Sequence, residues 1–412
     1  MQMLDFKMNI KLFRSKPGCF GYSINPVFYG AAFLMATSAI GPGFLTSTAV
    51  FTSRLFASFG FAILISIVVD LIAQLNVWRI ITVTNLPAQD IANLLLPGLG
   101  SFLSLLIISG GLVFNIGNIA GCGLGLNVLF GMDITTGALI SAGISILLFL
   151  LKDAGKAMDR FAQVLGFLMI GLVLYVAISS QPPIAEALYK TIIPDQIDFM
   201  SIVTIVGGTV GGYITFAGAH RLIDAGISGV DNKKQVDKSA FMAIGIASLM
   251  RILLFLAALG VVMKGSLLDE KNPAASVFQL AAGNIGYKIF GMVLWAASVT
   301  SVVGASFTSV TFARSFHPWL AKKQSYAIIA FIVCAALLFA LFGKPVKVLI
   351  FAGAFNGFIL AFSLGIMLIA ATKSRIMKGY QHPRAYLIAG SLVALLILVF
   401  GTLTILHEFG KK

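Results

Sequence analysis

Apolar residues in this chain run in stretches of about twenty, separated by short connections that hold most of the charge. Stretches of that length match the roughly 30 Å hydrocarbon core of a bilayer when wound as helices. Eleven spanning helices are expected, near 27–56, 60–80, 101–129, 133–151, 160–179, 199–223, 240–264, 286–314, 325–342, 346–371 and 385–407. Counting Lys and Arg in alternate connections puts 19 on one side and 9 on the other, with Arg251 inside a span. The basic side is the cytoplasmic one. The N-terminus is therefore expected inside and the C-terminus outside.

Two spans break the pattern. The first is about 30 residues long, roughly 45 Å as one straight helix, and carries Gly41-Pro42-Gly43 near its middle. The sixth carries Gly207-Gly208 and Gly211-Gly212. Proline removes a backbone donor and glycine permits non-helical dihedrals, so both spans are expected to be interrupted at membrane depth. Two broken helices five spans apart point to a transporter built from two inverted five-helix repeats, with its site where the breaks meet. The alternative is that these glycines only let helices pack closely. The expected division is a cytoplasmic segment 1–26, a first repeat 27–180, a second repeat 199–372 and an additional helix 385–407.

Composition narrows the class. Hydrophobic residues make up 58% of the 412 and charged residues 11%, whereas soluble domains carry about 25% charged residues. The net charge of +14 is spread over short connections, not gathered into a face for nucleic acid. Cys19, Cys122 and Cys334 lack metal-site spacing, and His220, His317, His382 and His407 form no ligand cluster. No nucleophile–base pair or cofactor loop suggests an enzyme, and no cofactor is expected. The basic N-terminus lacks a small-residue cleavage site, so no cleaved signal peptide is expected.

The stretch Phe33-Leu34-Met35-Ala36-Thr37-Ser38-Ala39-Ile40-Gly41-Pro42-Gly43-Phe44 resembles the first helix of Nramp divalent-metal transporters, which read Asp-Pro-Gly-Asn at the break. Leu126-Asn127-Val128-Leu129-Phe130-Gly131 resembles the end of the family's third helix, and the segment 206–213 falls where its sixth carries Met-Pro-His. The resemblance implies an all-α membrane protein of LeuT type, in the APC superfamily. It also implies losses. The family's metal-binding aspartate falls on Gly41, its asparagine on Phe44, its methionine on Gly211, its histidine on Tyr213 and a tenth-helix glutamine on Gly353. Third-helix acidic residues linked to proton movement fall on Ile108, Asn115 and Asn118. A divalent cation needs strong oxygen or nitrogen ligands to replace its water, and these positions no longer supply them.

A broken helix still presents backbone N–H groups with positive dipole character. Gly43, Phe44 and Leu45 are expected to offer them in the first helix, and Tyr213 and Ile214 in the sixth. Missing side chains at Gly41, Gly43, Gly211 and Gly212 are expected to leave room for an organic molecule walled by Phe44 and Tyr213. The expected function is cation-coupled symport of a small organic carboxylate or amino-acid-like solute by alternating access. Some Nramp-like proteins with glycine for the aspartate are encoded near 5-oxoprolinase genes, which makes 5-oxoproline the first candidate, although no residue here selects it. The alternative is transport of Mg2+ or Mn2+.

Two charges lie deep in spans. Asp70 in the second helix and Arg251 in the seventh are expected to pair, because unpaired charges there are costly. Ala305, Thr308 and Ser309 resemble the Ala-x-x-Thr-Ser pattern that holds sodium in LeuT-type symporters, so coupling by Na+ or H+ is expected. The same hydroxyls also suit capping of their own helix carbonyls. His220 and Asp224 suggest a gate or a solvated helix-end pair. The expected surroundings are the lipid bilayer of a bacterial inner membrane and a small-molecule substrate, with no obligate protein partner.

Overall fold

Hydrocarbon offers backbone groups no partners, so an apolar chain crosses it by satisfying them within helices. The computed structural model describes residues 41–409, except the side chains of 152–163, 318, 321 and 404–409. The expected segment 1–26 and the first half of the first span, 27–40, lie outside the described residues. Among those described, every regular element is a helix.

In chain order these are α1 (Pro42–Leu55), a 3-10 turn at Phe56–Ser58, α2 (Phe59–Thr84), α3 (Ala88–Leu95), α4 (Leu99–Phe130), α5 (Ile134–Leu150) and α6 (Lys152–Ser179). There follow α7 (Ile184–Ile192), α8 (Phe199–Thr209), α9 (Tyr213–Asp224), α10 (Lys233–Val262) and α11 (Pro273–Ala313). The last are α12 (Pro318–Lys322), α13 (Gln324–Phe342), α14 (Pro345–Ala371) and α15 (Arg384–Phe409). Local chemistry sets several ends. Asp133 accepts from Thr136 N at 3.0 Å to start α5, and Asp198 accepts from Met200 N at 3.0 Å to start α8. Pro42, Pro273 and Pro345 open α1, α11 and α14, where a missing N–H costs nothing.

Eight stretches of the described residues are long and apolar enough to cross a membrane, or nine if Val164–Ser179 and Ile184–Ile192, bent by 104°, form one span. The expected eleven differ for stated reasons. Pro42–Thr84 counts as a single stretch, and Ile134–Leu150 falls among the shorter apolar helices. Polar residues also extend helices beyond their apolar runs. α10 begins at Lys233, and α11 begins at Pro273 and is interrupted at Gly283 (φ 64°), ahead of the expected start at 286. The short helices α3, α7 and α12 in the connections were not anticipated by the apolar pattern.

α4 runs along α11 and α14, α14 packs on α8, and α10 packs on α1 and α2. These contacts bring the start of α1 and the gap between α8 and α9 into the middle of the bundle. At one end, Arg79 of α2 forms an ion pair with Asp237 of α10, and the Tyr386 ring lies 4.5 Å from its guanidinium. The connection 372–383 docks there through Lys378 Nζ, which donates to the Thr84 carbonyl at 2.7 Å, and His382, 2.9 Å from Asn76 Oδ1. Burial and the Arg79 charge hold the His382 imidazole down to about 4, so the ring is neutral at pH 7.

Candidate functional site

The interruption of the sixth span is present, and the described part of the first span begins at its Gly-Pro-Gly. Gly41 is extended (φ −90°, ψ −178°) and α1 starts at Pro42, with the Gly41 carbonyl accepting from Leu45 N at 3.2 Å. α8 stops at Thr209 and α9 starts at Tyr213, with Gly212 at φ +52° in the conformation that glycine tolerates best. The two breaks face different surroundings.

Between them and α14 lies a nearly closed cavity. α1 contributes Gly43, Phe44 and Ser47, and α4 contributes Phe114, Gly117 and Asn118. α8 contributes Thr204, Ile205 and Gly208, and α14 contributes Leu349, Ala352 and Gly353. The remaining wall is Arg251 of α10. The free space is about 10 Å³, on the order of one water-sized sphere. A larger guest requires the helices to part.

The α1 side of the cavity matches the sequence expectation for Gly43 and Phe44. A Cβ on Gly43 would meet nothing closer than 3.8 Å, so that position is open. Pro42 and Leu45 do not line the cavity; Pro42 instead packs against Gly121 of α4, and Leu45 is buried among apolar side chains. Gly41 is not among the lining residues either.

On the α8–α9 side the expectation needs correction. A Cβ on Gly211 would lie 2.5 Å from Gly207 Cα and 2.7 Å from the Asn356 carbonyl, and one on Gly212 would lie 1.6 Å from Asn356 Oδ1. That space belongs to α14, not to a substrate. Gly207 likewise approaches Gly353, whose carbonyl would sit 1.9 Å from an added Cβ. These glycines let α14 press against the break, which is the packing role that small residues serve in membranes. Gly208 is the position with open space and a place in the cavity wall. Tyr213 stands behind the wall, edge-on to Phe114 at 5.6 Å. The Ile214 N–H donates to the Gly211 carbonyl at 3.2 Å, and the Gly212 N–H donates to the Asn356 carbonyl at 3.2 Å, so neither is left for a ligand. Asn356 went unnoticed in the sequence, although it is the one amide side chain of α14.

The charged pair is the main electrostatic feature. Asp70 and Arg251 are each 1% exposed, with Arg251 Nη1 3.4 Å from Asp70 Oδ2. Arg251 Nη1 also donates to Ser66 Oγ at 2.9 Å. Its Nη2 donates to the Ile205 carbonyl at 3.3 Å and to the Thr209 hydroxyl. The guanidinium thus joins α10 to the last turn of α8, near the negative end of that helix's dipole. Its carbon lies 5.0 Å from the centre of the Phe44 ring, a cation–π contact. Arg251 Nε and Asp70 Oδ1 have no partner. Asp70 does not line the cavity, whereas Arg251 does.

The cavity wall holds other unpaired polar atoms. Neither side-chain atom of Asn118 makes a regular hydrogen bond, although the Tyr213 hydroxyl lies near them, and Thr204 Oγ1 is unpaired. Asn115, one turn earlier, donates to Ser306 Oγ at 2.9 Å and stays outside the wall. Of the α11 residues, Ala305 and Ser309 are buried, with Ser309 Oγ facing Gly111, while the Thr308 hydroxyl donates to its own helix carbonyl at Gly304, 3.0 Å away. Ser309 Oγ is buried and makes no hydrogen bond. His220 Nε2 accepts from Ala88 N at 3.2 Å and its ring stacks on Phe312, so it anchors α3. No group of three or more His, Cys, Asp or Glu suited to a metal occurs among the described residues.

Comparison with known proteins places this geometry. The Nramp model, natural resistance-associated macrophage protein-like, matches residues 32–407. An uncharacterized membrane protein of Bacillus subtilis, YcsG, is 57% identical over 376 residues, covering 91% of this chain and 93% of that protein. A crystal structure of the Eremococcus coleocola manganese transporter superposes with a TM-score of 0.72 at 17% identity, covering 95% of this chain and 88% of that one. The crystal structure of MhsT in complex with L-phenylalanine superposes with a TM-score of 0.63 at 16% identity, covering 93% and 99%. The fold is of LeuT type.

Proposed function

The chain belongs to the Nramp family and is a multi-span membrane transporter rather than an enzyme, and we propose that it carries a small organic carboxylate by alternating access. The observation that carries this reading is Arg251 in the cavity wall, beside the N-terminal turn of α1. A guanidinium and helix N–H groups attract an anion. They repel a dication. At about 5 Å and an effective dielectric of about 20, two positive charges beside one cost ~7 kcal/mol, and Asp70 offsets this incompletely because it stands outside the wall.

Asn118 adds a requirement on the rest of the substrate. Its amide has both a donor and an acceptor unpaired, which suits a second amide. 5-Oxoproline, with one carboxylate and one lactam, meets both demands. The cavity's other surfaces, Phe44, Phe114, Leu349 and Ala352, suit a small apolar ring. MhsT, a structural neighbour, was crystallised with an amino acid, so the fold is compatible with an organic solute. The competing reading is Mn2+ or Mg2+ transport, which the family and the Eremococcus coleocola neighbour favour. Lys and Arg placement supports an inward N-terminus in the plasma membrane.

Purified protein in liposomes decides between them. Saturable uptake of labelled 5-oxoproline or another small carboxylate, without manganese uptake, is expected. Saturable manganese uptake with no carboxylate response would overturn the proposal. Asn118→Leu sharpens it. Removing two unpaired buried polar atoms should leave the melting temperature of the unliganded protein unchanged or raised, because each costs about 1–3 kcal/mol. Carboxylate uptake should fall at least about 10-fold through a raised KM, as expected for loss of about 1.4 kcal/mol or more of binding.

A further inference from the structure

We infer that Asp70 is the proton carrier of this transporter, and that Arg251 exchanges Asp70 for the substrate's carboxylate in each cycle; the inference rests on the carboxylate reading above. Four observations converge on it. Asp70 is the one carboxylate-bearing residue among the buried polar and charged side chains of the described residues. Its contact with Arg251, at 3.4 Å, is long for a charge-assisted hydrogen bond, which runs about 2.7–2.9 Å. One carboxylate oxygen has no partner. Arg251 also has three neutral partners, Ser66, the Ile205 carbonyl and Thr209, beyond Asp70 itself.

The groups around Asp70 are Arg251 from α10, the Thr209 hydroxyl from α8 and, through Arg251, Ser66 of α2 itself. Arg251 is the charged one. The empty site thus contains one positive and one negative charge. Adding a carboxylate would leave a net negative charge in a dry membrane interior, which is strongly disfavoured. A proton restores neutrality. It enters from the side that delivers the substrate and bonds to an Asp70 oxygen. The ionic contact from Asp70 to Arg251 breaks, and Arg251 donates to the substrate carboxylate instead. Release on the far side runs the steps backwards: the substrate leaves, Asp70 gives up its proton to water and re-forms the pair. No electrons move. One proton accompanies one monocarboxylate, and the loaded and empty sites both carry no net charge.

This arithmetic makes transport electroneutral. In vesicles containing the wild-type chain, an inward acid gradient should drive accumulation of labelled 5-oxoproline. A potassium diffusion potential of either sign, set with valinomycin, should leave the rate unchanged. Asp70→Asn separates coupling from a structural role. With Asn at 70, the loaded site still balances Arg251 against the substrate, so exchange in preloaded vesicles should persist within about 3-fold of wild type. The empty site holds an uncompensated guanidinium and cannot return, so gradient-driven accumulation should fall at least 10-fold. Loss of both activities in a variant that elutes as wild type would overturn the inference, as would accumulation equal to wild type. Potential-driven uptake, or dependence on sodium without dependence on pH, would also overturn it. Should Asp70→Asn not reconstitute, the wild-type potential measurement and Asp70→Glu decide, since glutamate should retain proton-driven uptake. Uptake of manganese but no carboxylate by wild type removes the carboxylate reading itself, and is distinct from carboxylate uptake that moves no proton.

Discussion

Arg251→Met is expected to cut saturable carboxylate uptake at low substrate by roughly 2–5 kcal/mol, about 30- to 4,000-fold. The methionine keeps the apolar stem but removes the charge that faces both Asp70 and the cavity. It also strands Asp70 at 1% exposure, and an unpaired buried charge lowers stability by about 3–5 kcal/mol. Asp70→Asn strands the arginine in the same way. The pair Asp70→Asn with Arg251→Met removes both charges, so its yield of folded protein should exceed that of either single variant. Its uptake should stay absent. Recovery of uptake in the double variant would make the pair purely structural, and equal damage in all three would mean that the two charges do not depend on each other. Fluorescence-detected size exclusion reads the first quantity and vesicle uptake the second.

The parts legible from the residues alone were those set by covalent chemistry and by length. Apolar runs located the apolar cores of the helices but not their polar extensions, as at the starts of α10 and α11. Gly-Pro-Gly at 41–43 marked where α1 starts, and the paired glycines at 211 and 212 marked the gap between α8 and α9, because proline and glycine act on their own backbone. Asp70 and Arg251 stood out as charges in apolar runs, where each needs a counter-charge. What stayed hidden depends on which way a helix face turns. Gly208 and Gly211 are three residues apart in the same glycine-rich segment, yet one borders the cavity and the other is pressed against α14. The difference is made by the fold of the break, which sets Gly211 against Gly207 and against Asn356, almost 150 residues later. Phe114, not Tyr213, faces the cavity for the same reason. That Arg251 is part of the wall, with Phe44 against it, requires α1, α8 and α10 to meet.

Restoring the family's methionine by Gly211→Met is expected to cost the fold rather than create a metal site. The first added atom, Cβ, would already lie 2.5 Å from the Gly207 α-carbon and carbonyl and 2.7 Å from the Asn356 carbonyl. All are backbone atoms, so no side-chain rotation relieves the clash, and α14 must retreat from α8. That retreat would open the contacts of Gly207 with Gly353 and Gly357, where backbones now meet without side chains between them. Overpacking a tight interior costs about 1–3 kcal/mol, occasionally more, and here the displaced element is a helix in contact with α1, α2, α4 and α8. The folded yield should fall at least about 10-fold, with no manganese-dependent rise in melting temperature. Gly208→Ala is the matched control. Its Cβ meets nothing within 4 Å, so folding should be unaffected, while a methyl group in a cavity with room for about one water should weaken carboxylate uptake. A well-folded Gly211→Met that gained manganese binding would mean that α14 yields easily and that the metal site was lost through its ligands alone. A poorly folded one places the loss in the packing of α8 against α14, beyond the reach of a single reversion.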